Sequence, residues 1–195
     1  MPPPPATQPQ TPVFIFRPWI LWAGFAWGFA EATLFFVVPD VLLTFVALYS
    51  PRRSARVIVF ILLGALAGGT VMFWLGARDA AQAQAIVLRV PFVAPAMFQK
   101  THNGFQRDGI WTLTKSPGNG IPYKVYCVQA GGYSGWPLFM IASALARMER
   151  FAPFWLVSAG LGLVFRRRIT RRPMIPALAH AALWLLGYAW YWSAI

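Results

Sequence analysis

EATLFFVVPD (residues 31–40) sets Glu31, Pro39 and Asp40 inside one of the most apolar regions of a 195-residue chain that has only five acidic residues. The stretch belongs to an apolar run over 18–49, too long for one straight helix across a bilayer core of ~30 Å. In a helix Pro39 lacks the N–H that would bond Phe35, and its ring clashes with that carbonyl. The chain is therefore expected to break at 38–40. The remaining residues 41–49 make only ~13 Å of helix, half a bilayer, which suits the second leg of a broken, re-entrant hairpin over 18–49. The first leg is either a full span or half of the hairpin.

Composition points the same way. A chain that is 58% hydrophobic and 11% charged, with mean hydropathy +0.54, belongs to the membrane class rather than to the soluble domains. Further apolar runs occupy 57–76, 123–146, 151–165 and 174–195. The first and last reach the length of a span; the run over 151–165 is short. The net charge of +12 sits mostly between these runs, in PRRSAR (51–56) and RRRITRR (166–172). That placement argues against a nucleic-acid surface and for cytoplasmic ends facing acidic lipid. The opening MPPPPATQPQTP lacks a basic and an apolar region, so residues 1–17 read as a disordered Pro-rich tail rather than a signal peptide. Cys127 is the one cysteine, and His102 and His180 make no metal-ligand spacing, so no disulfide, metal or cofactor is expected.

Residues 77–115 are mixed in character and read as an interfacial linker of short helices and loops. SPGNGIPYK (116–124) then leads into a second interrupted run. There 123–130 and 137–146 are each about half a membrane long, separated by GGYSGWP (131–137). Gly131, Gly132 and Pro137 are expected to break this second hairpin (116–146) as Pro39 breaks the first. A span over 151–165 and a C-terminal span over 174–195 complete the order. With PRRSAR and RRRITRR on one face, the two hairpins open to opposite faces, the arrangement of an inverted-repeat transporter.

An ionised carboxylate at membrane depth is costly unless paired, hydrated or protonated, so Glu31 and Asp40 are the first functional candidates. On an unbroken helix they would point apart; the break at Pro39 lets both face one cavity. For Asp40 the competing role is an N-cap of the second leg. Arg147 and Arg150, in LARMERF, are either interfacial anchors or inward donors to a carboxylate or lipid phosphate. Lys124 is a weaker candidate of the same kind. Gly24/Gly28, Gly64/Gly68 and Gly131/Gly135 have Gly-x3-Gly spacing, read as helix packing only. GYSG (132–135) with His180 is similar to the serine–histidine dyad of rhomboid proteases, with Ser134 as nucleophile, although His180 is followed by alanines and six full spans are missing.

The chain resembles the DedA family, also called the SNARE-associated or VTT-domain family, and within it the short YqaA-like branch. EATLFFVVPDVLLT resembles that family's acid, proline, acid hairpin motif, and GALAGGTVMFWLG its glycine-spaced span. FQRDGIW, GIPYKVYCVQAGGYSGWPLF and ARMERF are similar to its second hairpin. The match runs over about residues 20–165. One departure is Ala77 where the family often has arginine, which puts Arg78 in doubt as a site residue. The resemblance implies an inner-membrane protein that translocates or scrambles phospholipids or polyprenyl-phosphate carriers, with proton coupling in some bacterial members, and it implies Glu31, Asp40 and Arg147 as the important polar positions.

The expectation is thus an all-α polytopic membrane protein with two inverted re-entrant hairpins, each followed by a span, plus a C-terminal span. It would act as a lipid translocase and not as an enzyme, with Glu31, Asp40, Arg147 and Arg150 forming the substrate and proton site. Membrane lipid and protons are the partners, with a homo-oligomer left open, and the location is the inner (cytoplasmic) membrane. A non-transporting scaffold or assembly factor is the second reading, and a rhomboid-like protease the third.

Overall fold

The computed structural model describes residues 17–193. Among them every regular element is helical and no strand occurs, as expected of an all-α chain. The Pro-rich tail, apart from Arg17, and the last two residues of the C-terminal segment lie outside the described residues.

Helix α1 (Trp19–Thr33) and α3 (Pro51–Arg78) form the most extensive seam of the fold. Gly24 and Gly28 face Val57, Ile61 and Ala65, while Gly64 and Gly68 face Phe25 and Phe29. Numbers rise together on the two helices, so they run parallel. A Cβ on Gly28 or Gly64 would overlap the backbone oxygen of Ile61 or Phe25, so the two Gly-x3-Gly pairs set this close approach. With 15 residues, about 22 Å, α1 ends beside Gly68, well short of the end of the 28-residue α3. The first leg is therefore shorter than α3 and turns back partway along it.

The turn back is longer than expected. Residues 34–39 are all non-helical, whereas the sequence pointed to 38–40. Pro39 disfavours helix for the residue before it, which fixes only the downstream limit. Upstream, the last helical turn closes on one shared carbonyl. The amides of Leu34 and Phe35 both donate to Ala30, and the Trp27 indole donates to the Val37 carbonyl at 2.9 Å. From this elbow α2 (Asp40–Tyr49) returns toward the start of α3, and Ser50 reverses the chain into Pro51.

The second half begins with α4 (Ala80–Val87), capped by the Asp79 carboxylate on the Gln82 amide, and α5 (Pro95–Asp108). A 3-10 segment (Gly109–Gly118) follows, then non-helical residues 119–122, α6 (Tyr123–Ala130) and α7 (Trp136–Val164). Tyr123 lies against Gly69 and Val128 against Gly76, so α6 runs parallel to α3. Phe139 stacks near Phe73 and the Trp155 indole donates to the Ser54 hydroxyl at 2.8 Å, so α7 runs antiparallel to it.

These directions correct two expectations. GGYSGWP is not a break partway along the fold: Gly131 sits against Ala77, at the C-terminal end of α3. Gly131 itself has helical angles, and Pro137 lies in the first turn of α7, where its missing N–H leaves nothing unsatisfied. The elbow of the second half is at 119–122 instead, where Gly120 adopts φ +73°, a conformation that favours glycine, between Pro117 and Pro122. The leg expected over 137–146 and the span over 151–165 are one 29-residue helix that continues through Pro153. In the first half α1 advances along α3 and α2 returns before α3 crosses. In the second, α6 advances along α3 and α7 runs back antiparallel to it.

The chain ends in α8 (Arg166–Arg171) and α9 (Met174–Ser193). Of the described helices, α3 is the one both long and apolar enough to cross a membrane; α2 and Met174–Trp190 are shorter apolar helices. Large apolar side chains point outward all round, among them Trp22, Leu63, Ile141, Leu156 and Leu186. Two buried apolar clusters form the interior. One is built on α6, the 3-10 segment and the N-terminal half of α7; the other joins Ile20, Leu43, Ile61 and Phe151. The candidate site lies where they meet.

Candidate functional site

Arg147 and Arg150 are three residues apart, so they lie on one face of α7. The elbow at 34–39 brings the two acids to that face. Glu31, in the last turn of α1, is 4% exposed and pairs with Arg147, which is 2% exposed. Asp40, 1% exposed at the first position of α2, accepts from Arg150 Nε at 3.3 Å. The elbow thus sets the two carboxylates against neighbouring arginines of α7; Glu31 lines the cavity described below and Asp40 does not. Asp40 is not a cap, however. The capping position is Pro39, no side chain caps the helix, and the second Asp40 oxygen, Oδ1, has no hydrogen-bond partner.

Aromatic rings hold Arg147. Its guanidinium lies over the Tyr123 ring at 4.7 Å to the centroid and over Phe151 at 4.8 Å. Such stacking suits arginine, whose planar and weakly hydrated group tolerates burial better than an ammonium. Around it the Arg147 Nε is buried without a hydrogen-bond partner, while the Tyr123 and Ser143 hydroxyls lie within hydrogen-bonding reach of each other. Buried polar atoms are usually satisfied, and each loses ~1–3 kcal/mol when they are not. Together with Asp40 Oδ1, the site thus holds two such atoms.

Lys124, 2% exposed, completes the charges. Its Nζ donates to the Phe35 carbonyl at 2.7 Å, so the first turn of α6 reaches into the first elbow. The two elbows meet through this bond. Beside them is a cavity of about 500 Å³, lined by Glu31, Lys124 and Arg150, by Phe35, Phe36 and Val38 of the first elbow, and by Gly120, Ile121 and Pro122 of the second. Its outer wall is α9, through Trp184 and Tyr188. With all groups ionised, the lining sets two cations, Lys124 and Arg150, against one carboxylate, Glu31, while Arg147 and Asp40 lie behind the wall as their pairing partners.

Other candidates lie elsewhere. Ser134 is in the 131–135 turn, its hydroxyl on the Gly135 carbonyl at 3.2 Å. His180 bonds the Thr44 hydroxyl at 2.8 Å and receives the Trp184 indole at 3.1 Å. These two members of the supposed dyad have separate partners on separate parts of the fold. Arg78 is exposed in the last turn of α3. Among the described residues no group of three His, Cys, Asp or Glu side chains is arranged to hold a metal ion. The sequence reading missed Tyr123 and Phe151 as the bracket around Arg147, and Trp184 and Tyr188 as a wall. It also missed the second elbow, although SPGNGIP carries two prolines and two glycines in seven residues.

An uncharacterized protein of Haemophilus influenzae is 23% identical to this chain over 171 residues, 87% of each. No family model matches the chain, and no solved structure matches it.

Proposed function

We propose that this protein is a multi-pass inner-membrane lipid translocase of DedA-like architecture, in which Glu31, Asp40, Arg147, Arg150 and Lys124 pass anionic headgroups between leaflets in exchange with protons. The observation that supports this reading is the excess of Lys124 and Arg150 over Glu31 where the two elbows meet, in the lining of a chamber with aromatic and aliphatic walls. A phosphate is the ligand such a chamber suits: Lys124 and the arginines balance its charge, and the apolar lining accommodates the start of its acyl chains. In this scheme α3, α7 and α9 cross the bilayer, α1–α2 enters from the arginine-rich face, and the 3-10 segment with α6 enters from the other. The apolar outer faces of these helices, which water would penalise, then meet lipid. Helix α9, 20 residues or about 30 Å, has the length the hydrocarbon core needs.

The step at the site is an exchange of partners. The incoming phosphate takes Arg147 from Glu31; Glu31 binds a proton and is no longer a buried unpaired charge. Loss of the proton on the far side restores the pair and expels the headgroup. Leaflet exchange in proteoliposomes tests this directly. Wild type should move a labelled anionic phospholipid, and Arg147→Ala should not; exchange by Arg147→Ala at the wild-type rate refutes the scheme.

One observation favours a second reading. Each acid already has its own arginine, as a non-transporting scaffold would require, with the pairs serving only to hold α1, α2 and α7 together. A stably folded wild type that exchanges no lipid class would select it.

A further inference from the structure

A second cavity lies on the other side of α9, at the arginine-rich end of the molecule. Its volume is about 740 Å³. Helix α2 forms its back, α7 one side and α9 the other, with Leu48, Leu161, Ile175 and Leu183 among its walls. The walls are fixed rather than accidental. Gly162 of α7 packs directly on the backbone of Ala47 and Leu48, and the Tyr49 hydroxyl donates to the Pro173 carbonyl at 2.5 Å, tying α2 to the start of α9. Arg168, Arg171 and Arg172 line it together, and no acidic side chain does. At its inner end the hydrogen-bonded Thr44, His180 and Trp184 separate it from the chamber of Glu31 and Arg150: Thr44 and His180 line this cavity and Trp184 lines the other.

We infer that this cavity is a binding site for one anionic phospholipid of the leaflet at the arginine-rich face. Its headgroup phosphate lies on Arg168, Arg171 and Arg172 and one acyl chain lies in the groove between α7 and α9. The chemistry is specific in two ways. Three guanidiniums in one lining supply the donors a phosphate accepts, and the apolar walls beside them exclude a free phosphate ion as the natural occupant. The arrangement also divides RRRITRR by function. Arg166 and Arg167 do not line the cavity, so they contribute only general attraction to acidic lipid, whereas Arg171 and Arg172 hold a particular molecule.

Native mass spectrometry of the purified full chain in detergent tests the site without reference to transport. The protein is titrated with phosphatidylglycerol or with phosphatidylcholine of the same acyl chains. Wild type should retain one phosphatidylglycerol in clear preference to phosphatidylcholine. Arg171→Gln/Arg172→Gln should weaken that binding about thirtyfold, whereas Arg166→Gln/Arg167→Gln, which removes the same charge from the same cluster, should leave it within about threefold of wild type. Ala179→Trp keeps every arginine but fills the groove, and should abolish retention with helix content unchanged. Equal losses in the two arginine pairs, no headgroup preference, or retention by Ala179→Trp would each overturn the assignment. Failure here leaves leaflet exchange intact if the central chamber works alone, and failure of exchange leaves this binding intact.

Discussion

Removing one member of the Glu31–Arg147 pair is predicted to do more damage than removing both. The two groups are 4% and 2% exposed. At an effective dielectric of about 20 and a charge separation of about 4 Å, their attraction is about 4 kcal/mol. Glu31→Gln leaves Arg147 buried with no carboxylate and raises the excess charge beside Lys124 and Arg150, so stability should fall by about 3–5 kcal/mol. Arg147→Met strands Glu31 and should lose a similar amount, part of it from the contacts with Tyr123 and Phe151. The double variant Glu31→Gln/Arg147→Met removes both charges and keeps the volume, so it should lie within about 2 kcal/mol of wild type. Unfolding in mixed micelles of increasing sodium dodecyl sulfate, followed by circular dichroism, gives all three values. Additive losses in the double variant, or single variants within about 0.5 kcal/mol of wild type, would refute the buried pairing.

Further expectations follow from other parts of the fold. Gly64→Ala puts a Cβ on the Phe25 carbonyl and should cost about 1–3 kcal/mol in the same assay, whereas Gly160→Ala, where nothing lies within 4 Å, should be neutral or stabilise by up to about 1 kcal/mol. Cysteines at Ala77 and Gly131 should join on mild oxidation, since their Cβ atoms would nearly touch, and the cross-link should appear as a mobility shift after cleavage between them; no cross-link would contradict the parallel course of α3 and α6. Lys124→Met should lower affinity for an anionic headgroup about tenfold while leaving stability within about 1 kcal/mol, because its ammonium donates to a backbone carbonyl and pairs with no acid at close range.

The acids and the arginines were legible in the sequence because charge is rare in and beside its long apolar runs, so each instance stands out. That Glu31 would pair with Arg147, and Asp40 with Arg150, was not, since the partners are 116 and 110 residues apart and only the packed helices bring them together. Pro39 announced the first elbow but not its length, because the Phe35 carbonyl is taken up by Lys124 of α6, 89 residues away, and the Val37 carbonyl by a side chain of the preceding helix, Trp27. The second elbow was misplaced for a related reason. GGYSGWP and SPGNGIP are both rich in turn residues, and apolar runs on either side of GGYSGWP made it look like the break. Depth decided between them, and depth comes from Gly69 against Tyr123 and Gly131 against Ala77. The three glycine pairs divide likewise: two form the α1–α3 seam, whereas Gly135 has only its neighbouring Pro137 within 4 Å.

Proton-linked movement of lipid is the core of this proposal, and one experiment reaches it. Purified protein in liposomes carrying a headgroup-labelled anionic phospholipid is scored for leaflet exchange with and without a pH gradient, for wild type and Glu31→Gln. Exchange that the gradient accelerates in wild type, and that Glu31→Gln no longer couples to the gradient, is the expected result. Wild-type liposomes indistinguishable from protein-free ones under both conditions, or a gradient response retained in Glu31→Gln, would contradict it.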